Sequence, residues 1–468
     1  MSASRASSEQ PTRSYGSGAR ILSIGIASTG LLTFAYFSIA SHVLGEQSAK
    51  RIDLLWSVMF VIISVIYRPI EQLLSRTIAE RRARGYAAHR LRVPMLIQAS
   101  FALVFLAVAL ALHDELVNHV FEGDGPLYDV LVVGTLAYAA SYFARGWLAG
   151  HERFALFGGL VLMESCSRIS FAIAVALGIT HGQTAVALGI AAAPFVSLVV
   201  VPAAFARQRA ERSQLGGGPI TVDEADAALA GPGTEGVQET AAHNDLSLRR
   251  GGGFAFWVSG IMLSEQTLLN AAVLTVDATS RDRTLAGIVF NVLLIARAPL
   301  QLFQAIQTSL LPHLTGLEAT EGHDAFARAI RLTVLAIAAF ALVVTLSLLL
   351  VGPFALRHVF FGQRYSYNGF GLALIGVGMG LHLTSGALNQ AALARDRARA
   401  AAGCWLLAAV VFVAWMVTPA VGDQLLRAEI GYAGATGLLA LTLATLYRRG
   451  SRRIERRQSA ATDPAIAR

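Results

Sequence analysis

Long apolar stretches alternate with short polar connections along most of the chain. A helix needs roughly 20 apolar residues to cross the ~30 Å hydrocarbon core of a bilayer. Twelve stretches reach that length. The predicted spans are 21–44, 54–76, 93–113, 127–149, 155–178, 184–206, 253–276, 285–311, 329–352, 368–393, 400–420 and 428–447. The pattern therefore predicts an all-α polytopic membrane protein with twelve transmembrane helices.

Composition supports this assignment and removes two classes of function. Apolar residues make up 54% of the chain and charged residues 15%, against about 25% charged residues in an ordinary soluble domain. Lys50 is the only lysine among 38 basic residues, and Ala49 precedes it where a P-loop has glycine. ATP binding by a Walker motif is thereby excluded. The net charge of +8 indicates arginines near anionic lipid rather than nucleic acid binding.

Arginine placement predicts the orientation and the domains. With a cytoplasmic N-terminus, the inner segments carry most arginines, whereas the outer connection after the third span carries no lysine or arginine. We therefore expect both termini in the cytoplasm. The expected domains are a disordered tail (1–18), an N-terminal six-helix lobe (19–206), a flexible cytoplasmic linker (207–251), a C-terminal six-helix lobe (252–447) and a basic cytoplasmic tail (448–468) that binds lipid headgroups.

The two halves repeat a short motif. Residues 66–73 of the second span and 295–302 of the eighth both read I-x-R-x-x-x-Q-L. A weaker echo joins residues 148–153 at the end of the fourth span with 393–397 at the end of the tenth. Because each half has six spans, the halves run parallel, and parallel transporter repeats enclose a substrate cavity. We therefore predict two parallel lobes around a central cavity.

Charged residues at membrane depth are costly and usually functional. Six lie near the middle of the predicted spans: Arg68, Glu71, Glu164, Arg168, Glu265 and Arg297. The pairs Arg68/Glu71 and Glu164/Arg168 are spaced so that each can neutralise itself on one helix face. Arg297 and Glu265 lack such a partner, so they either pair with each other across helices or face the cavity.

Arginines that face a cavity suit an anionic cargo, because guanidinium groups form bidentate bonds to phosphate and stay charged. Carboxylates beside them could take up a proton or a sodium ion during transport. Gln72 and Gln301 suit sugar hydroxyls, or they hydrogen-bond between helices. Gly146 and Gly150, and six glycines in the tenth span, predict close helix packing.

Three segments carry a family resemblance: residues 145–154, Glu164 with Arg168, and Arg297 with Pro299. With the twelve spans, they resemble the lipid-linked oligosaccharide flippases of the multidrug/oligosaccharidyl-lipid/polysaccharide exporter superfamily. The resemblance implies transfer of a polyprenyl-diphosphate-linked saccharide to the outer leaflet of a bacterial plasma membrane, driven by an ion gradient or the membrane potential. It places Arg68, Arg168 and Arg297 on the diphosphate or on acidic sugars, with Glu71, Glu164 and Glu265 balancing charge or coupling.

The resemblance also implies a monomer that requires no cofactor and associates with polysaccharide-synthesis enzymes. The related lipid II flippases have two further helices, which this sequence lacks. Two rivals remain open. A multidrug and toxin extrusion antiporter has the same fold, but three mid-membrane arginines beside three glutamates favour an anionic cargo. A membrane glycosyltransferase or polymerase needs a sizeable external loop, and the best candidate, residues 113–128, is short.

Overall fold

The computed structural model describes residues 10–84, 91–199, 247–279, 309–320, 323–355 and 368–462, together with six positions between 280 and 308. These residues form α-helices, one π-helical turn and connecting turns, without a β-strand. The chain divides into two compact units, which we call the N-terminal unit (Met1–Phe256) and the C-terminal unit (Trp257–Arg468).

Among the described residues, seven helices of 15 residues or more lie in the N-terminal unit. They are α1 (Gln10–Val43), α2 (Glu46–Ile66), α3 (Arg68–Ala83), α4 (Arg92–Ala111), α5 (Gly125–Gly150), α6 (Phe154–Ala176) and α7 (Gln183–Ser197). A short helix (His113–Glu115) and the π-turn (Leu116–Val120) connect α4 to α5. Helix α1 starts within the segment that the sequence predicts to be disordered.

Helix α8 (Leu248–Thr279) crosses the division between the units. The C-terminal unit continues with α9 (309–320), α10 (His323–Leu350), α11 (Gly369–Ala394), α12 (Ala398–Val417) and α13 (Gln424–Thr462), plus one short helix (Gly352–Ala355). Helix α13 runs 15 residues past the predicted end of the last span at 447. Most of the predicted span 285–311 and of the linker 207–251 lies outside the described residues.

Seven of the described helices are long and apolar enough to cross a membrane: α4, α5, α6, α10, α11, α12 and α13. The second predicted span, 54–76, is wrong as a single helix, because α2 ends at Ile66 and α3 begins at Arg68. Pro69 has no N–H to bond the preceding turn, but it is tolerated in the first turn of a new helix. Tyr67 connects α2 to α3, and its N–H still donates to the Ile63 carbonyl at 2.9 Å.

Close helix packing occurs where the glycine pattern predicts it. Gly146 and Gly150 of α5 face the buried helix α3. A Cβ atom added at Gly146 would lie 2.8 Å from the Glu71 carbonyl oxygen. One added at Gly150 would lie 2.7 Å from the Ile78 Cβ atom. Both distances are too short for a real contact, so only glycine lets these two backbones approach. The expectation for this glycine pair is confirmed.

Helix α11 has the same role in the C-terminal unit, where it packs between α10 and α13. Gly376 faces Thr345 of α10, and Gly378 faces Tyr432 of α13. Added Cβ atoms would lie 2.7 Å from the Thr345 hydroxyl oxygen and 2.7 Å from the Tyr432 ring. The glycines of the predicted tenth span therefore also serve close packing.

The weaker sequence echo has a structural counterpart. Helices α5 and α11 each contain 26 residues, and both end in the same turn. Glu152 and Asp396 adopt positive φ values of 58° and 57°, which few residues other than glycine adopt. The next N–H groups close equivalent bonds, from Arg153 to Leu148 at 2.8 Å and from Arg397 to Ala392 at 2.9 Å. An offset of 244 residues thus relates two identical turns, as an internal repeat requires.

A polar cluster ties together one end of the N-terminal unit. The Arg51 guanidinium and the Gln47 amide both donate to the Glu122 carboxylate, at 2.8 and 2.9 Å. Asp124 caps α5 through the Leu127 N–H at 3.2 Å and accepts from Gln183 of α7. The hydrogen bonds from Arg51 and Gln47 hold the pKa of Glu122 below its ordinary value. This cluster fastens the starts of α2, α5 and α7 to each other.

The glycine contacts generate a test with a matched control. We expect Gly146→Ala to lower the free energy of unfolding by about 1–3 kcal/mol, because the new methyl group overpacks the interface with α3. Gly159→Ala in α6 is the control, since no atom of the described residues lies within 4 Å of its Cβ position. There the change should be neutral or stabilising by up to about 1 kcal/mol. Denaturant unfolding in detergent measures both, and equal effects would contradict the packing account.

Candidate functional site

A buried ion pair lies inside the N-terminal unit. Glu164 of α6 is 2% exposed, and its carboxylate accepts hydrogen bonds from Arg145 and Ser141 of α5. The Ser197 hydroxyl of α7 reaches the same carboxylate at 3.5 Å. The Arg145 guanidinium also stacks on the Tyr142 ring, 4.4 Å from its centroid. One carboxylate thus joins three helices, which is the arrangement that makes a buried pair tolerable.

The predicted neutralisation of Glu164 by Arg168 is wrong. The two residues are four positions apart on α6, but the cation on Glu164 is Arg145 of the neighbouring helix. Spacing along one helix shows which residues share a face, and it does not show which partner a packed neighbour supplies. Arg145 lies in the segment that carries the family resemblance, but spacing along one helix did not single it out.

Arg168 is a buried cation surrounded by hydroxyl groups. It is 4% exposed and donates to Tyr138 at 3.1 Å, to Ser165 at 2.8 Å and to Thr33 at 3.4 Å. Its guanidinium lies 4.6 Å from the centroid of the Trp56 ring. Among the residues that the structure describes, no carboxylate lies within 4.0 Å of it. Its Nε atom is buried and has no hydrogen-bond partner in that same part of the chain.

A charge buried this way is expensive at membrane depth unless a counter-charge approaches it. Hydroxyl and indole groups relieve part of that cost through their dipoles and the ring face. They leave the positive charge uncancelled. Arg168 is therefore suited to meet an anionic group.

The predicted site residues of α3 lie close to the Arg145–Glu164 ion pair. Glu71 and Gln72 are 7% and 8% exposed, and Arg68 is partly exposed. Arg145 and Arg68 both act electrostatically on the Glu71 carboxylate. Within the described ranges, however, Arg68 and Glu71 form no ion pair, and the Gln72 Oε1 atom is buried without a hydrogen-bond donor. The structure thus brings Glu71 and Glu164 around Arg145, whereas sequence spacing predicted two separate pairs.

A second polar cluster lies in the C-terminal unit. Glu265 of α8 is 7% exposed, and its carboxylate lies 4.0 Å from the His382 Nε2 atom of α11. The His382 Nδ1 atom lies 3.1 Å from the Tyr432 hydroxyl of α13. Trp405 of α12 packs edge-on against the imidazole. Glu265 therefore meets an imidazole, which the sequence did not predict. Arg297 and Gln301, its expected neighbours on the next span, lie outside the described residues.

The internal repeat relates the two clusters. When the two halves are aligned with an offset of 244 residues, the polar residues of α5 correspond to polar residues of α11. The aligned pairs are Tyr138/His382, Ser141/Ser385 and Arg145/Asn389. All but Arg145 are fully buried, and Arg145 is 12% exposed in its side chain. We call each set of three residues a polar stripe. Each stripe contacts the following helix: Arg145 pairs with Glu164 of α6, and Asn389 accepts a hydrogen bond from Trp405 of α12 at 3.2 Å. Aligning the two halves at this offset places polar residues at all three positions of both helices, which marks these faces as polar from sequence.

No cluster of three or more His, Cys, Asp or Glu side chains suited to a metal ion occurs among the described residues. Among the described residues, the buried Glu164 carboxylate lies beside Arg145 and the buried Glu265 carboxylate lies beside His382. Such an arrangement can take up and release a proton or hold a monovalent cation in place of its partner, because the cation next to each carboxylate can be displaced.

Comparison with solved structures identifies the fold. The MATE transporter VcmN from Vibrio cholerae superposes with a TM-score of 0.72 at 13% identity, covering 94% of this chain and 98% of its own. A MOP-superfamily transporter from Pyrococcus furiosus gives a TM-score of 0.72 at 13% identity, with 95% and 97% covered. A multidrug resistance MATE transporter of the MOP superfamily in an outward-facing conformation gives 0.69 at 13% identity, with 95% and 96% covered.

These likenesses confirm the predicted fold class, an all-α polytopic membrane protein with twelve helices in two lobes. The fold is that of the MATE and MOP-superfamily transporters, which fits the superfamily that the sequence resembles. No protein-family model matches the sequence, and no curated protein sequence matches it. The narrower resemblance to lipid-linked oligosaccharide flippases is not shown by these structures.

The ion pair generates a test by double-mutant cycle. Arg145→Met should lower the free energy of unfolding by about 3–5 kcal/mol, because it leaves the Glu164 carboxylate buried without its cation. Adding Glu164→Leu should recover part of that loss, giving a coupling energy of about 0.5–3 kcal/mol. Arg331→Met, an exposed position on α10, is the control and should stay within about 0.5 kcal/mol. Strictly additive effects of the two core substitutions would contradict the pairing.

Proposed function

We propose that this chain is an ion-coupled secondary transporter that works by alternating access of its two lobes. The observation that carries the proposal is the likeness to MATE and MOP-superfamily transporters over 94–95% of the chain. The internal repeat supports it, because many secondary transporters are built from such repeats around a site near the membrane midplane. Energy then comes from an ion gradient or the membrane potential, since the chain has no Walker motif.

The comparisons favour a MATE-type exporter over the flippase that the sequence resembles. In this proposal a solute leaves the cell in exchange for protons or sodium ions. The coupling carboxylates are Glu71, Glu164 and Glu265, which are all buried. Glu164 releases Arg145 when it takes up a proton, and Glu265 exchanges a proton or a sodium ion beside His382. Both steps change the charge of a lobe interior, which can favour one conformation over the other.

The second candidate is transfer of a polyprenyl-diphosphate-linked saccharide across the membrane. The observation that favours it is Arg168, a buried cation with hydroxyl partners instead of a carboxylate. The Pyrococcus furiosus transporter described by a binding pocket of reverse polarity is among the similar structures. In this candidate Arg68, Arg168 and Arg297 bind the diphosphate or acidic sugars, and Gln72 and Gln301 bind sugar hydroxyls.

Both candidates place a multi-pass protein in a bacterial plasma membrane with cytoplasmic termini. The chain acts as a monomer and carries no resident cofactor. Anionic membrane lipids contact its basic tail, and nucleic acid is not a partner. Association with polysaccharide-synthesis enzymes belongs to the second candidate alone, because only that cargo is made by such enzymes.

The charge of the cargo separates the candidates. Purified protein in proteoliposomes is supplied with either a cationic dye or a fluorescent polyprenyl-diphosphate saccharide, under an imposed proton or sodium gradient. A MATE-type exporter moves the dye and leaves the lipid in its leaflet. A flippase moves the lipid and ignores the dye, and movement of neither cargo would contradict both candidates.

Variants at Arg168 sharpen this assay. If the cargo is anionic, Arg168→Ala should lower its transport at least about tenfold, the loss expected for a buried charge-assisted contact. Arg168→Lys should restore part of it, since lysine keeps the charge without the planar fork. Arg331→Ala on α10 is the matched control and should transport as the wild type does. Unchanged lipid transport by Arg168→Ala would remove Arg168 from the site.

A further inference from the structure

Two buried carboxylates flank one arginine in the N-terminal unit. Glu164 of α6 is 2% exposed, and Glu71 of α3 is 7% exposed. Arg145 of α5 forms an ion pair with Glu164, and it also acts electrostatically on Glu71. One cation therefore serves two carboxylates that come from two different helices.

The path of the Arg145 side chain explains why both carboxylates are near it. On one side Arg145 reaches α6, where its Nη2 atom donates to Glu164. The next residue, Gly146, lies against the backbone of α3, and a Cβ atom added there would be 2.9 Å from the Glu71 Cα atom. Adjacent residues of a helix are about 100° apart around its axis. The Arg145 side chain therefore leaves α5 between α3 and α6.

Glu71 lacks the contacts that stabilise Glu164. The Glu164 carboxylate accepts hydrogen bonds from Arg145 and Ser141. Within the described ranges, the Glu71 carboxylate accepts no hydrogen bond and forms no ion pair within 4.0 Å. An ionised carboxylate that is buried without donors is costly. Glu71 is therefore suited to receive a cation that becomes available beside it.

Arg145 keeps donors for a second carboxylate. In the part of the chain that the structure describes, only its Nη2 atom donates a side-chain hydrogen bond, and its Nε atom is buried without an acceptor. Its guanidinium stacks on the Tyr142 ring, 4.4 Å from the centroid. Stacking on a ring face leaves the edge of the planar guanidinium, where its donors lie, open to a carboxylate. The same cation can therefore bond either carboxylate.

Arg68 is the other cation that acts electrostatically on Glu71. It is the first residue of α3 and is partly exposed, so water can solvate its charge. The Arg145 side chain is only 12% exposed and has much less access to water. When Glu164 is neutral, the buried arginine thus gains more from Glu71 than Arg68 does.

We propose that Arg145 exchanges between two carboxylates, pairing with Glu164 when Glu164 is ionised and with Glu71 when Glu164 carries a proton. This inference rests on the proposed function, in which Glu164 takes up a coupling proton. The proton neutralises Glu164, the guanidinium moves to Glu71, and the three groups change from one net negative charge to neutral. The exchange occurs beside the connection between α2 and α3, because the Tyr142 ring lies 6.4 Å from the ring of Tyr67.

Stability measurements on carboxylate variants test the exchange without requiring transport. Glu164→Gln imitates the protonated carboxyl group, so Arg145 then depends on Glu71. At neutral pH we expect Glu71→Gln to lower the folding equilibrium constant less than about threefold in the wild type and more than about tenfold in Glu164→Gln. Glu115→Gln, at an exposed position, is the control and should have the same small effect in both backgrounds. An equal effect of Glu71→Gln in both backgrounds would overturn the proposal.

Infrared difference spectroscopy keeps the proposal testable if the double variant fails to fold. Acidification of the wild type should produce a carboxylic-acid band that disappears in Glu164→Gln and persists in Glu71→Gln. The carboxylate band that is lost in Glu71→Gln should shift over the same pH range, because Glu71 then receives the guanidinium. A carboxylic-acid band that disappears in Glu71→Gln instead, or a Glu71 band that does not shift, would contradict the exchange. Neither measurement uses a cargo, so its failure is distinct from a failure of transport in proteoliposomes.

Discussion

The cost of placing charge inside a membrane protein governs this structure. A charge buried at membrane depth is expensive unless an opposite charge or hydrogen bonds stabilise it. Glu164 gains that stabilisation from Arg145, Ser141 and Ser197, which come from two other helices. Its position depends in turn on the packing of α5, where Gly146 and Gly150 allow α3 to approach. Small residues thus bring α3 close to the helix that carries Arg145 and Ser141.

The two units solve the same problem with different chemistry. Equivalent positions carry Tyr138, Ser141 and Arg145 in one unit and His382, Ser385 and Asn389 in the other. The first stripe holds a permanent cation against Glu164, whereas the second holds a titratable imidazole near Glu265. A duplicated scaffold has therefore kept its polar positions while their charges diverged. Such divergence would let one unit carry fixed charge and the other respond to ions.

Sequence reasoning predicted the features that depend on local pattern. Apolar length predicted the membrane helices, and the glycine spacing predicted the packing of α5 on α3. It failed where the outcome depends on a neighbouring helix. The i,i+4 spacing paired Glu164 with Arg168, but α5 supplies Arg145. Glu265 meets His382 from a helix more than a hundred residues away in sequence. The apolar pattern continues through Tyr67, so Pro69 is the only sequence signal of the break between α2 and α3.

In the function that we propose, transport through a MATE-type fold is coupled to an ion gradient. The most direct measurement is cargo movement in ATP-free proteoliposomes before and after ionophores collapse the proton and sodium gradients and the membrane potential. We expect concentrative movement that stops when these gradients are removed and resumes when one is restored. Accumulation that continues without any gradient, or that requires ATP, would contradict it.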